Sequence, residues 1–144
     1  MFHSKKSIFF MFMITTFANT SLNCFFNKAV TPVQINLKNF EKEVLESETP
    51  VILYAFRVSS WRCKAVSSIF VELCPEFADK LKFVAMDLDR NDILANYFDV
   101  RYVPAFMLFY DGKWIEMVQE NVSKESLKAL CKAAIETCKD IDEA

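Results

Sequence analysis

A single glycine and a single histidine stand in a chain of 144 residues, and each scarcity removes whole classes of chemistry. With Gly112 alone, neither a glycine-rich phosphate loop nor a G-x-G-x-x-G dinucleotide turn can be built, because both need several residues without a Cβ close to the phosphates. Nucleotide binding by those routes is excluded. His3 lies ahead of the stretch that reads as a folded domain, so Ser/His/Asp triads, Cys/His dyads and His-ligated zinc are excluded as well. Charge of one sign is also lacking: 17 Lys and Arg face 19 Asp and Glu, a net charge of -2, which gives no general attraction for nucleic acid. No cofactor, metal, nucleotide or nucleic-acid partner is expected.

Apolar material, by contrast, is abundant. Hydrophobic residues make up 53% of the chain and phenylalanine occurs 15 times, enough for the core of one domain. Residues 1–23 read as a secretory signal. Lys5 and Lys6 precede the apolar run from Ser7 to Phe17, and small or polar residues follow at Ala18, Thr20 and Ser21. The run is shorter than the ~20 residues of a bilayer span. Cleavage is expected near 18–24, first of all after Ala18, which sends the protein into the secretory pathway, to the endoplasmic reticulum or outside the cell. Disulfides are possible there. A membrane contact follows only if the segment stays uncleaved.

From residue 30 to about 140 the patterning is that of one α/β domain. Val33, Ile35 and Leu37 alternate as in a half-exposed strand, and Phe40, Val44 and Leu45 share a helical face. Val51 to Phe56 is continuously apolar, as in a central strand covered on both sides. A helix opens near Trp61, with Pro75 expected to interrupt or kink it. Strand Lys82 to Leu88, a short helix over Asp92 to Phe98 and strand Ala105 to Tyr110 follow. Asp111-Gly112 signals a hairpin into Trp114 to Val118. Ser123 reads as the N-cap of a last helix whose stripe holds Leu127, Leu130, Cys131, Ala134, Ile135 and Cys138. Its charged end is expected to fray, with 141–144 as a loose tail.

This order, together with Pro50, Cys63-Lys64, Asp87-Leu88-Asp89, Tyr102-Val103-Pro104, Phe109-Tyr110-Asp111-Gly112 and Val122-Ser123-Lys124, resembles the thioredoxin family, including its protein disulfide isomerase-like members. The resemblance implies a thioredoxin fold, a central mixed β-sheet flanked by helices, and a cis bond between Val103 and Pro104. It also implies where chemistry would lie. In the family's register Ser60 stands where the attacking cysteine of C-x-x-C would be, and Cys63 stands at the resolving position. The buried acid is matched by Tyr54, the nearby lysine by Ala85, the tryptophan before the first cysteine by Ser59 and the docking glycine by Glu120. A two-thiol cycle needs both sulfurs, so the resemblance implies a degenerate site.

Two readings of Cys63 stay open on the sequence. It is either a small buried hydrophobe with an inert thiol, or a monothiol site beside Arg62, able to hold a mixed disulfide with glutathione or a client but unable to resolve it. A displaced register, with Trp61-Arg62-Cys63 matching the family's Trp-Cys pair, would make Cys63 the attacker but breaks the spacing to Pro104. No other cysteine supplies the missing thiol. Cys63 and Cys74 would lie ~16 Å apart along one helix and Cys131 and Cys138 ~10 Å, beyond the ~7 Å reach of a disulfide. Cys24, if it survives cleavage, is the cysteine expected to be exposed and able to join another molecule. Trp61, Arg62, Val103, Pro104, Gln119 and Glu120 face the groove and are the candidate partner-binding residues, with a protein client or complex subunit as the partner. Asn121-Val122-Ser123 is a sequon that would restrict this face if glycosylated.

Overall fold

A computed structural model describes residues 30–119 and 122–144; the segment expected to be a signal, Cys24, Glu120 and Asn121 lie outside the described residues. Five strands form one sheet in the order β1-β3-β2-β4-β5, with β1 Val33–Gln34, β2 Val51–Phe56, β3 Lys82–Asp87, β4 Ala105–Tyr110 and β5 Lys113–Val118. Strands β1, β3 and β2 run parallel, while β4 and β5 are antiparallel to their neighbours. The helices are α1 Trp61–Phe77, α2 Asp92–Tyr97 and α3 Lys124–Glu143, and a single π-helical segment spans Glu41–Leu45.

The apolar strands divide their side chains between two cores, because successive residues point to opposite faces. Ile52, Tyr54, Phe83, Ala85, Phe106 and Leu108 pack with Phe70 of α1 and Cys131 of α3. Val51, Leu53, Ala55, Val84, Met86, Met107 and Phe109 pack on the other face with Phe40, Val44, Leu94 and Phe98. Continuous hydrophobicity in β2 and β4 thus reflects burial on both sides of the sheet.

Three expectations from the sequence change. The first strand is only two residues long. Ile35 alone of its alternating set is buried, while Val33 and Leu37 are exposed; the pairing with β3 covers Val33 and Gln34, and the Ile35 N–H still donates to the Ala85 carbonyl at 2.8 Å. Helix α1 is unbroken at Pro75 and continues to Phe77; Val71, whose carbonyl loses its usual partner to the proline ring, lies on the exposed side of the helix. The last helix runs on to Glu143, anchored by buried Cys138 and by the Tyr110 hydroxyl donating to Asp142.

Local chemistry explains the connections. The Glu46 N–H donates to the Glu41 carbonyl at 2.9 Å, an i to i+5 bond that suits buried Phe40 and Val44 and half-buried Leu45. Glu43 accepts from Lys82 Nζ at 2.8 Å, and that hydrogen bond holds the carboxyl below its ordinary range. Asp111 and Gly112 both take positive φ, 49° and 69°, as a two-residue type I′ hairpin requires. Beyond it β5 carries a bulge against Leu108 and Phe109, where the Trp114 Nε1–H bonds the Glu116 carbonyl of its own strand at 3.0 Å. Ser123 and Ser126 cap α3 reciprocally. Between α1 and α3, Lys124 pairs with Glu72 and Lys128 with Glu76, so the two helices run in the same direction. No described helix is long and apolar enough to cross a membrane.

Candidate functional site at the start of helix α1

The register of the sheet brings the candidate residues to one end. Ala55 pairs with Ala105, so Pro104, one residue before β4, lies beside Phe56 at the end of β2. The Val103-Pro104 bond is cis, as the resemblance implies, and Pro104 is buried with Val103 half-buried beside it. Gln119, one residue past β5, accepts from the Tyr102 N–H through Oε1 at 2.9 Å. That bond ties the proline loop to the end of β5, giving Gln119 a definite structural role at this rim. Glu120 and Asn121, which follow it, are outside the described residues.

The turn from β2 to α1 closes when the Ser60 N–H donates to the Arg57 carbonyl at 3.1 Å. Ser60 is the N-cap of α1, with extended φ and ψ of -78° and 118°, and its Oγ accepts from the Cys63 N–H at 3.4 Å. Serine is a favoured residue there because its oxygen serves one of the helix's orphan donors. Reading Ser60 only as a missing nucleophile overlooks this role, although the signal, a serine just before a helical stretch, was in the sequence.

Cys63 sits in the first turn of α1 and is 1% exposed. Of the two readings open on the sequence, the structure places its thiol in the core among Val66, Phe70 and Tyr54; the expectation that a small Ser60 leaves it open to glutathione or peroxide does not match this burial. Cys74, Cys131 and Cys138 are free and buried too. Burial pushes the Cys131 thiol up to about 12 and moves Cys74 and Cys138 upward as well.

Beneath Cys63 the sheet presents Tyr54, where the resemblance leads one to look for an acid. Its hydroxyl donates to the Cys63 carbonyl at 2.9 Å, and Ser67 Oγ donates to the same carbonyl at 2.8 Å. Tyr54 and Ser67 also lie 3.1 Å apart, so two protons serve three contacts. The ring stacks on Phe56 and Phe106 with centroids 5.4 and 5.2 Å away. Burial is the main reason its phenol is pushed well above the ordinary range; at neutral pH this group is a hydrogen-bond donor and carries no charge. Ala85, opposite Tyr54 in the register, is buried. Neither position offers a group to move a proton to or from a sulfur.

Around this closed centre the rim is exposed. Trp61 is 74% exposed and does not fold back onto the domain; the Arg62 guanidinium lies over its ring at 5.6 Å, within cation–π range. Val58 is 61% and Tyr102 72% exposed. Sequence reasoning missed these two as surface residues. Tyr102 served only as a landmark of the proline loop, and Val58 in a connection carries no periodic signal.

A mixed sheet of this order, covered by helices on both faces and closed at one end by a capped helix and a cis-proline, is the thioredoxin architecture. The thioredoxin family model matches residues 31–133, and the chain belongs to the thioredoxin family. It is similar to thioredoxin C-2 of Corynebacterium nephridii, 33% identical over 94 residues that cover 65% of this chain and 84% of that protein. It is also similar to thioredoxin 1 of Synechococcus elongatus, 31% identical over 88 residues, 61% of this chain and 82% of the relative. The thioredoxin of Haemophilus influenzae is 35% identical over 81 residues, 56% and 76% of the two chains.

Proposed function

We propose that this chain is a thioredoxin-family protein that binds a protein partner at the Trp61 end of the sheet and does not run the family's dithiol cycle. The observation that carries the reading is Cys63 at 1% exposure behind a Ser60 whose oxygen caps the helix. Attack by one thiolate on a substrate disulfide forms a mixed disulfide and releases one thiolate, and release of the product needs a second thiol nearby. A serine hydroxyl does not take that part without a base to activate it. Tyr54, uncharged at neutral pH, and Ala85 offer none.

Insulin-disulfide reduction with a dithiol donor tests this directly. The full chain is expected to reduce insulin no faster than the donor alone. Turnover comparable to a Cys-x-x-Cys thioredoxin measured beside it overturns the reading. The same proposal sets the protein in the secretory pathway, supported by the charge and hydropathy order of residues 1–23 alone. Mass determination of the mature N-terminus from the native cell is expected to find cleavage within 18–24, and a chain that retains Met1 in the cytosol overturns that part.

A further inference from the structure

We infer that the partner segment recognised at this rim is acidic, with apolar side chains between its carboxylates; the inference rests on the protein-binding reading above. Trp61, Tyr102 and Val58 give an aromatic and aliphatic surface with relative exposures of 74%, 72% and 61%. Large exposed side chains of this kind anchor protein interfaces. Several of the charges around them are already paired. Arg57 is neutralised by Asp89, Arg101 by Asp99 and Arg90 by Asp87.

Arg62 and Lys64 remain. Both are exposed, and among the described residues neither forms an ion pair. Lys64 stands three positions after Trp61, on the adjoining helical face. The Arg62 guanidinium lies 5.6 Å from the Trp61 ring centroid, a contact with the face of the ring that does not use its N–H donors. A guanidinium arranged in this way binds a carboxylate with little further ordering. The chain as a whole carries a net charge of -2, whereas the two charged side chains nearest exposed Trp61 on α1 are both cations with no ion pair among the described residues, a reversal of sign confined to that spot. Such a reversal selects partners by sign and speeds their encounter.

The experiment uses the full chain carrying Trp114→Phe, which leaves Trp61 as the only tryptophan. Its emission reports titration with a short synthetic peptide of Phe and Leu interspersed with Asp and Glu, and with the same peptide in which Asn and Gln replace the acids. The acidic peptide is expected to bind about tenfold more tightly than its amide counterpart, an advantage that fades as salt shortens the screening length below ~10 Å. Arg62→Gln combined with Lys64→Gln is expected to abolish the advantage while the far-ultraviolet dichroism stays unchanged. Equal binding of the two peptides, or an advantage that survives high salt or the double substitution, overturns the acidic selectivity and leaves protein binding standing. Binding of neither peptide overturns the inference as well, whereas the absence of dithiol turnover stands or falls on insulin reduction alone.

Discussion

Tyr54 shows how one side chain changes what a fold can do. A carboxylic acid at a buried strand position can exchange a proton with a nearby sulfur. A phenol pushed upward by burial stays protonated and spends its hydrogen on a backbone carbonyl. The hydroxyl stabilises the first turn of α1, because it links the Cys63 carbonyl to the sheet. Tyr54→Phe is expected to lower stability by about 1 kcal/mol, the net value of one hydrogen bond, since Ser67 still serves the carbonyl. Adding Ser67→Ala leaves that carbonyl without either side-chain donor, so the paired loss should exceed the sum of the single ones in urea denaturation. Strict additivity would show that the three contacts are not one network. That Tyr54 replaces an acid is legible in the sequence through the resemblance. That its hydroxyl reaches over to a residue nine positions on is not, because the contact depends on how α1 crosses the sheet.

At the scale of elements, local signals succeeded where the chain decides its own conformation. Asp111-Gly112 is such a place: two positive φ values are needed before any strand pairs. A Cβ on Gly112 would meet the Leu45 carbonyl oxygen at 3.3 Å with φ at +69°. Gly112→Ala is therefore expected to cost about 1 kcal/mol, read as a lower thermal midpoint with the fold retained. A midpoint equal to the unchanged chain would contradict the hairpin described. Elements that depend on neighbours were less legible. The alternation of Val33, Ile35 and Leu37 reads as a strand, yet only the segment that meets β3 becomes one. Charged residues at the end of α3 read as a frayed tail, yet Tyr110, from a strand far off in sequence, holds Asp142.

For the whole molecule, the two-sided burial of β2 and β4 was plain from their unbroken apolar runs, as were the core places of Cys131 and Cys138. Which side of the domain Cys63 faces was not, because a cysteine in the first turn of a helix has the same sequence signature whether it points out or in. The buried thiols also set the molecule's response to alkali. A thiol ionises near 9.0 when unperturbed, whereas Cys131 in the fold is pushed up to about 12, chiefly by burial. The folded state keeps the proton where the unfolded state loses it. Stability is thus fully present below that lower value and falls as pH rises through the window. Each such thiol steepens the decline by at most about 1.4 kcal/mol per pH unit. Urea midpoints should be level up to about pH 9 and drop beyond it, and a midpoint unchanged across the window would overturn the account.

The ion pairs between α1 and α3 have one more implication. Their partners are 52 positions apart in both cases, Glu72 with Lys124 and Glu76 with Lys128. Moving α3 by a single turn would set Glu72 against Lys128 and Glu76 against Lys132. By charge alone the shifted alignment is at least as good as the real one. The ladder acts as a vernier with two equivalent marks, and cannot choose between them. That choice falls to the buried stripe of Leu127, Cys131, Ala134 and Cys138, which shares one core with Phe70, Leu73, Cys74 and Phe77 of α1.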